Sequence, residues 1–168
     1  LHIRAGNSEQ RTVEIHGHYG GMRCTAGCPG VVPIPSELDA WTDESDWIEV
    51  RDLLECPECG FATRPHVLWF DEFYDEANYR IKTVGSQAAR ASLCITVGTS
   101  GGVPAAARLA GIAAKAGAIL IDVNPADSEL RELALQSPGG VAVAAPASTV
   151  LPAISAAAET WARIATPT

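Results

Sequence analysis

Beyond residue 92 the chain settles into a regular alternation of apolar runs and helix-forming stretches. The runs at residues 93–97, 118–123 and 141–145 are short and almost uninterrupted, the pattern of strands covered on both faces. A helix signal follows each one. Pro104 opens an Ala-rich stretch that reaches Lys115 before a stop at Gly117, and Asp127 or Ser128 offers a cap for a helix to about Leu135. A last helix is expected from about Thr149 to Ile164. Strands and helices in this order predict right-handed βαβ units around a buried parallel sheet, an α/β fold.

The earlier part of the chain has a different rhythm. Val13 and Ile15 alternate with polar residues as in a strand that Gly17 ends. Between Cys28 and Cys56, three prolines (Pro29, Pro33, Pro35) and the acidic run from Asp39 to Asp52, with Trp41 and Trp47 inside it, predict mostly loop with one or two short strands or a helical turn. Pro65 pushes Arg64 toward extended geometry, and residues 67–70 are expected to continue extended with aromatics on both faces. Two readings of this stretch stay open. It is an edge strand that pins the loop-rich part to the core, or its backbone pairs with an incoming peptide while its aromatics line a channel for an apolar side chain.

The cysteines say more than the composition does. Cys24 and Cys28, then Cys56 and Cys59, form two pairs in short turns with 27 residues between them, and one tetrahedral Zn²⁺ is the expected occupant. A closed four-sulfur shell leaves no position for water or substrate, so this zinc is expected to be structural. The competing reading, two redox-active pairs, lacks a nearby basic residue or helix N-terminus to acidify a thiol. Cys94, inside an apolar run, reads as a small core residue.

Charge and length narrow the class. With 168 residues the chain suits one ordinary domain, and a net charge of -8 leaves no basic footprint for a phosphate backbone, so nucleic acid is not an expected partner. No stretch approaches the roughly 18 apolar residues that a membrane span needs, and no secretory signal opens the chain, so a cytoplasmic protein away from the membrane is expected. The chain begins at Leu1 and reads like the middle of a domain, which predicts a fragment or processed form.

Two further sets of residues carry candidate chemistry. His16 stands at the end of the expected first strand, where a histidine, with an ordinary pKa of about 6.5, can act as a general base; His18 and His66 compete for that role. Gly98, Thr99, Ser100, Asn124 and Ala147 all fall at the carboxyl ends of the three apolar runs, where open α/β sheets bind ligands. Each alone is an ordinary strand-to-helix turn; together they favour a nucleotide site.

The order of these motifs resembles the sirtuin family nearly throughout: Arg4-Ala5-Gly6, Glu14-Ile15-His16-Gly17, Arg23-Cys24, the second cysteine pair, Arg64-Pro65-His66-Val67-Leu68-Trp69-Phe70, Val97-Gly98-Thr99-Ser100, Val123-Asn124 and the stretch from Gly140 to Pro152. The resemblance is nearest to bacterial sirtuins. It implies that residues 1–168 are the C-terminal portion of a sirtuin catalytic domain, with a small zinc-binding module at residues 17–63 and a partial Rossmann-like, NAD-binding portion at residues 64–168. It also implies an NAD-dependent protein lysine deacylase, in which NAD is consumed as co-substrate, the acyl group ends on ADP-ribose and nicotinamide leaves. His16 would take a proton from a ribose hydroxyl. Gly98, Thr99, Ser100, Asn124 and Ala147 would surround the NAD, Val67, Trp69 and Phe70 would grip the acyl-lysine of a peptide or protein substrate, and Cys24, Cys28, Cys56 and Cys59 would hold the zinc. Asp71 stands where the family usually has Gly. The family's first glycine-rich loop and its Gln-Asn-Asp stretch are expected before Leu1, so these residues by themselves are expected to be inactive. The other reading is a non-catalytic or NAD-hydrolysing sirtuin-like module of a larger protein.

Overall fold

The computed structural model describes residues 2–40 and 47–165, and the chain divides into two compact units, Leu1–Lys82 and Thr83–Thr168. Trp41 and the middle of the acidic run lie outside the described residues.

The first unit is built on a three-stranded antiparallel sheet in the order β2-β1-β3, with β1 at Gly17–Cys24, β2 at Val32–Pro33 and β3 at Thr63–Val67. The strand expected through Val13 and Ile15 does not form. Residues 12–14 are irregular and the ladder begins at Gly17, the residue expected to end it, because β1 pairs from there onward with β3. Its register shifts between His18 and Met22, a bulge that turns Met22 into the core. β3 takes an edge, where Pro65, which has no N–H to give, costs no ladder bond. The run expected to stay extended to Phe70 stops at Val67. Leu68 N–H still donates to the His16 carbonyl at 2.9 Å, and the chain then turns, with Glu72 N–H donating to the Trp69 carbonyl at 3.1 Å. Trp69 and Phe70 therefore sit on a turn beyond the strand, not on its two faces.

The core of this unit is small and aromatic. His66 and Tyr79 are buried with their rings stacked, 5.4 Å between centroids, and Met22 and Cys56 are buried in the same unit. Between the cysteine pairs the described residues hold more regular structure than the loop expected there. They add 3-10 turns at Ser36–Ala40 and Arg51–Leu54 and the single turn α1 at Trp47–Val50. After β3 come the short helix α2 (Glu76–Tyr79), capped by Asp75 Oδ1 accepting from Asn78 N–H at 2.7 Å, and α3 (Ile81–Ala88).

The second unit follows the expected βαβ order closely. Strands β4 (Leu93–Val97), β5 (Ile119–Val123) and β6 (Val141–Val143) lie parallel in the order β4-β5-β6. Between them run α4 (Pro104–Lys115) and α5 (Glu129–Gln136), and α6 (Ala147–Ala165) closes the chain. Ser128 is the cap of α5, its Oγ accepting from Arg131 N–H at 3.0 Å. Ala113, Ala118, Leu120 and Ala134 form the core cluster, with Cys94 packed against it. The alanines let helix and sheet backbones approach closely. The expectation of a sheet buried on both faces holds only in part. Leu93, Ile119 and Val141, which alternate with the buried positions, stay 46–49% exposed. The helices cover the face of Cys94, Leu120 and Asp122; on the opposite face the strand starts keep contact with solvent, whereas Val123, in line with Ile119, is fully buried. Among the described residues no helix is long and apolar enough to cross a membrane.

Candidate functional site

The four cysteines converge. β1 delivers Cys24 at its end, and the turn that follows brings Cys28 back. The second turn is closed by Cys56 N–H to the Phe61 carbonyl, 2.7 Å, and Gly60 N–H to the Cys56 carbonyl, 2.8 Å. Thr25 ties the two turns together, its N–H and hydroxyl both donating to the Ala62 carbonyl at 3.0 and 2.6 Å. All four sulfurs consequently lie within 4.8 Å of one another, with Cys24 and Cys59 at 3.6 Å. Four sulfurs bound about 2.3 Å from one tetrahedral ion would stand about 3.8 Å apart, so the set fits such an ion.

Electrostatics point the same way. The backbone N–H of Cys28, helped by that of Ala26, draws the Cys24 thiol down to about 6, whereas hydrogen bonding to Cys59 and Cys24 pushes the Cys28 thiol up to about 12. Unaided, the cluster ionises one thiol at the expense of another; a dication lets all of them ionise together. The groups that acidify Cys24 are amides of its own turn, which residue types alone do not reveal. Cys94 is half-buried and unrelated to the cluster, and burial pushes its thiol up.

His16 occupies the turn just ahead of β1. Its side chain is exposed, its carbonyl accepts from Leu68, and its ring meets the Tyr74 ring edge-on at 5.8 Å. The position is fixed by the next residue. Gly17 has φ +73°, and a Cβ there would fall 2.0 Å from the His66 carbonyl oxygen, so only glycine lets β1 and β3 close at that point. His66 is unsuited to proton uptake. Burial, reinforced by the nearby positive charges of His18 and Arg23, holds its pKa below the ordinary value.

Val67 ends β3, and the exposed Trp69 and Phe70 follow it. Glu72 holds this turn together. Its Oε1 accepts from both Arg23 and Arg64, and its Oε2 accepts from Trp69 N–H at 2.9 Å. Arg64 in turn lies over the Trp69 ring at 4.0 Å from its centroid. The sequence reading named Arg23 and Arg64 only as motif letters and missed Glu72 and Tyr74; no spacing rule links residues 49 positions apart.

In the second unit, Gly98, Thr99 and Ser100 leave β4, Asn124 leaves β5, and Ala147 opens α6 after β6. Two of these three tips are joined directly: buried Asn124 donates from Nδ2 to the Thr99 carbonyl at 2.9 Å and accepts from Ala126 N–H at 3.1 Å. Gly98 has φ +61°, and a Cβ there would meet open space. α4 starts without a side-chain cap, but Pro104 has no N–H and Ala106 N–H already donates to the Val103 carbonyl at 3.2 Å, so the helix start offers an anion few amides. Below these tips Asp122 is buried in mid-strand, accepting from the Thr96 hydroxyl at 2.6 Å. These features fit a nucleotide's hydroxyls.

Comparison with known proteins identifies the family. Residues 1–105 match the model of the Sir2 family. A protein of Thermus thermophilus named NAD-dependent protein deacylase is 36% identical over 134 residues, covering 80% of this chain and 46% of the relative. One of Pyrococcus furiosus with the same name is 31% identical over 137 residues, covering 80% of this chain and 50% of the relative. The chain thus spans about half the length of the curated relatives it matches. Among solved structures, a complex of a Sir2 homologue with NAD superposes with a TM-score of 0.70 at 27% identity, covering 89% of this chain and 51% of the other. From the strand tips of its parallel sheet to its converging cysteines, this chain belongs to the Sir2 family, the sirtuins.

Proposed function

We propose that this protein is an NAD-dependent protein lysine deacylase. The observation that carries the reading is the continuous similarity, over four-fifths of the chain, to proteins named for that activity. Bound NAD would supply a ribose whose anomeric carbon accepts the acyl oxygen as nicotinamide departs. His16 is the general base: exposed and held by the backbone of β1 and β3, it takes a proton from a ribose hydroxyl once that attack has occurred.

Gly98, Thr99, Ser100, Asn124 and Ala147 bind the NAD. Their share is orientation, through the Asn124–Thr99 link. Val67, Trp69 and Phe70 grip the acyl-lysine of a peptide or protein, and the two aromatic rings keep water from the reacting sugar. Cys24, Cys28, Cys56 and Cys59 hold a structural Zn²⁺ that fastens the loop-rich module at residues 17–63, and residues 64–168 serve the cofactor and substrate. A reducing compartment such as the cytoplasm suits five free thiols.

The test is deacylation itself: the intact protein, given NAD and an acetyl-lysine peptide, is followed by mass spectrometry for the deacetylated peptide. No NAD-dependent product from acetyl-, propionyl- or succinyl-lysine peptides overturns the reading.

A further inference from the structure

The geometry around Glu72 points to a residue that no motif assigns: we propose that Glu72, acting through Arg64, is the positioning residue that sets which face of Trp69 is offered to the substrate acyl chain. This deepens the deacylase reading and rests on it for the identity of the acyl chain, but not for the placement of Trp69.

Three contacts converge on one ring. Glu72 Oε2 accepts from the backbone N–H of Trp69 at 2.9 Å, which fixes the backbone from which the indole projects. Glu72 Oε1 accepts from Arg64, which also donates to the Val67 carbonyl at 2.9 Å, so the guanidinium is tethered at two ends. That guanidinium lies on the Trp69 ring, 4.0 Å from its centroid. A planar cation held over an indole occupies one face of it. The opposite face is then the one left for a ligand, and Trp69 is 52% exposed although the guanidinium covers it.

The second arginine explains why the carboxylate stays put. Arg23, at the penultimate position of β1, donates to the same Oε1. The side chains of Arg23 and Arg64 are only 17% and 12% exposed and that of Glu72 27%, so this is a partly desolvated network and not a loose surface pair. Arg23 lies opposite Arg64 in the β1–β3 register, which places both guanidinium groups where one carboxylate can join them. A plain structural clamp would need only the two arginines and the carboxylate. The bond to the Trp69 amide and the stacking of Arg64 on its ring are extra, and both bear on the one aromatic residue.

The experiment uses the 168-residue chain loaded with zinc. Amide exchange at Trp69 is read by NMR, and indole emission is read as the difference from Trp69→Phe. With Glu72→Ala, Trp69 amide exchange is expected to speed up about 10-fold or more, the loss of a hydrogen bond to a charged acceptor, and the emission to shift to the red. Glu72→Gln keeps an acceptor oxygen for the amide and loses the ion pairs, so it should shift the emission with a smaller change in exchange. Arg64→Lys, which cannot stack as a plane, should shift the emission alone. Zinc content and melting temperature identify any variant that fails to fold, and then the two milder substitutions decide.

If Trp69 exchange and emission stay at wild-type values in folded Glu72→Ala, or if every β1 and β3 amide accelerates by the same factor, the positioning role is overturned. An acetyl-lysine peptide is then titrated against each form. Quenching of Trp69 emission by the peptide, weakened about 10-fold or more in Glu72→Ala, supports the substrate half of the proposal. Peptide that leaves wild-type Trp69 untouched overturns that half and the deacylase reading of Trp69, while the exchange data still judge the placement of the ring.

Discussion

A Cβ on Gly17 would stand 2.0 Å from the carbonyl oxygen of His66. That contact is where the residue after His16 crosses the backbone of the edge strand, and it makes the position of the candidate base depend on the absence of a side chain next to it. The left-handed φ of +73° adds to the demand.

Gly17→Ala is therefore expected to cost at least about 2 kcal/mol of unfolding free energy in the first unit, from the steric clash and the unfavourable backbone region together. Denaturant unfolding monitored by circular dichroism measures it. A cost near zero would mean that β1 and β3 part easily, and that His16 is not held as described.

The metal site gives a second expectation. The purified chain should carry one Zn²⁺, and Cys59→Ser should lower the metal content well below one per chain, read by mass spectrometry of the metal. Chelation should unfold the loops between the cysteine pairs and leave the β4–β6 unit intact, because none of its residues supplies a sulfur to the cluster. Protons compete for the thiolates, so zinc release should grow as the pH falls.

His66 gives a pH dependence with a definite sign. Its folded pKa is depressed, first by burial and then by His18, with Arg23 adding to it, against the weaker opposing pull of the nearby Asn78 backbone and of Asp75. The unfolded chain therefore binds the proton more readily, and stability is full above about 6.5, the unfolded value, and declines as the pH falls from there toward the folded pKa. His66→Phe, which keeps a ring against Tyr79, should flatten that decline. Zinc-loaded protein melted between about pH 7 and pH 5 tests the slope, and equal slopes in the two forms would contradict the assignment.

The candidate cofactor site can be probed without turnover. Asn124→Ala removes the donor to the Thr99 carbonyl and the acceptor for Ala126 N–H, so the two strand tips lose their link. NAD affinity, measured by calorimetry, is expected to weaken about 10-fold or more. Unchanged affinity would take Asn124 out of the site.

These relationships differ in how visible they are in the residues. β4, α4, the Ser128 cap and α6 are local: each follows from a run, a proline or a capping side chain within a few positions, and sequence order reveals them. The convergence of the cysteines is legible because their paired spacing is that of ligands sharing one metal ion. What stays hidden depends on pairing across long separations. Nothing near Val13 and Ile15 tells that β3 pairs with the chain only from Gly17 onward, and nothing near Trp69 tells that Arg23, far back in the chain, shares Glu72 with Arg64. The partial exposure of one face of the parallel sheet is equally invisible, since an apolar run does not record what lies against it. The strand tips point to a nucleotide site by their position alone, whereas the choice of His16 over His18 and His66 as the base rests on likeness to a family.

The most direct measurement of the central claim compares the intact protein with its His16→Ala form in NAD-dependent release of deacetylated peptide, with zinc content checked in both. The account predicts product that requires NAD and falls by about 100-fold or more without the imidazole, at unchanged zinc occupancy. Equal product from both forms would contradict it.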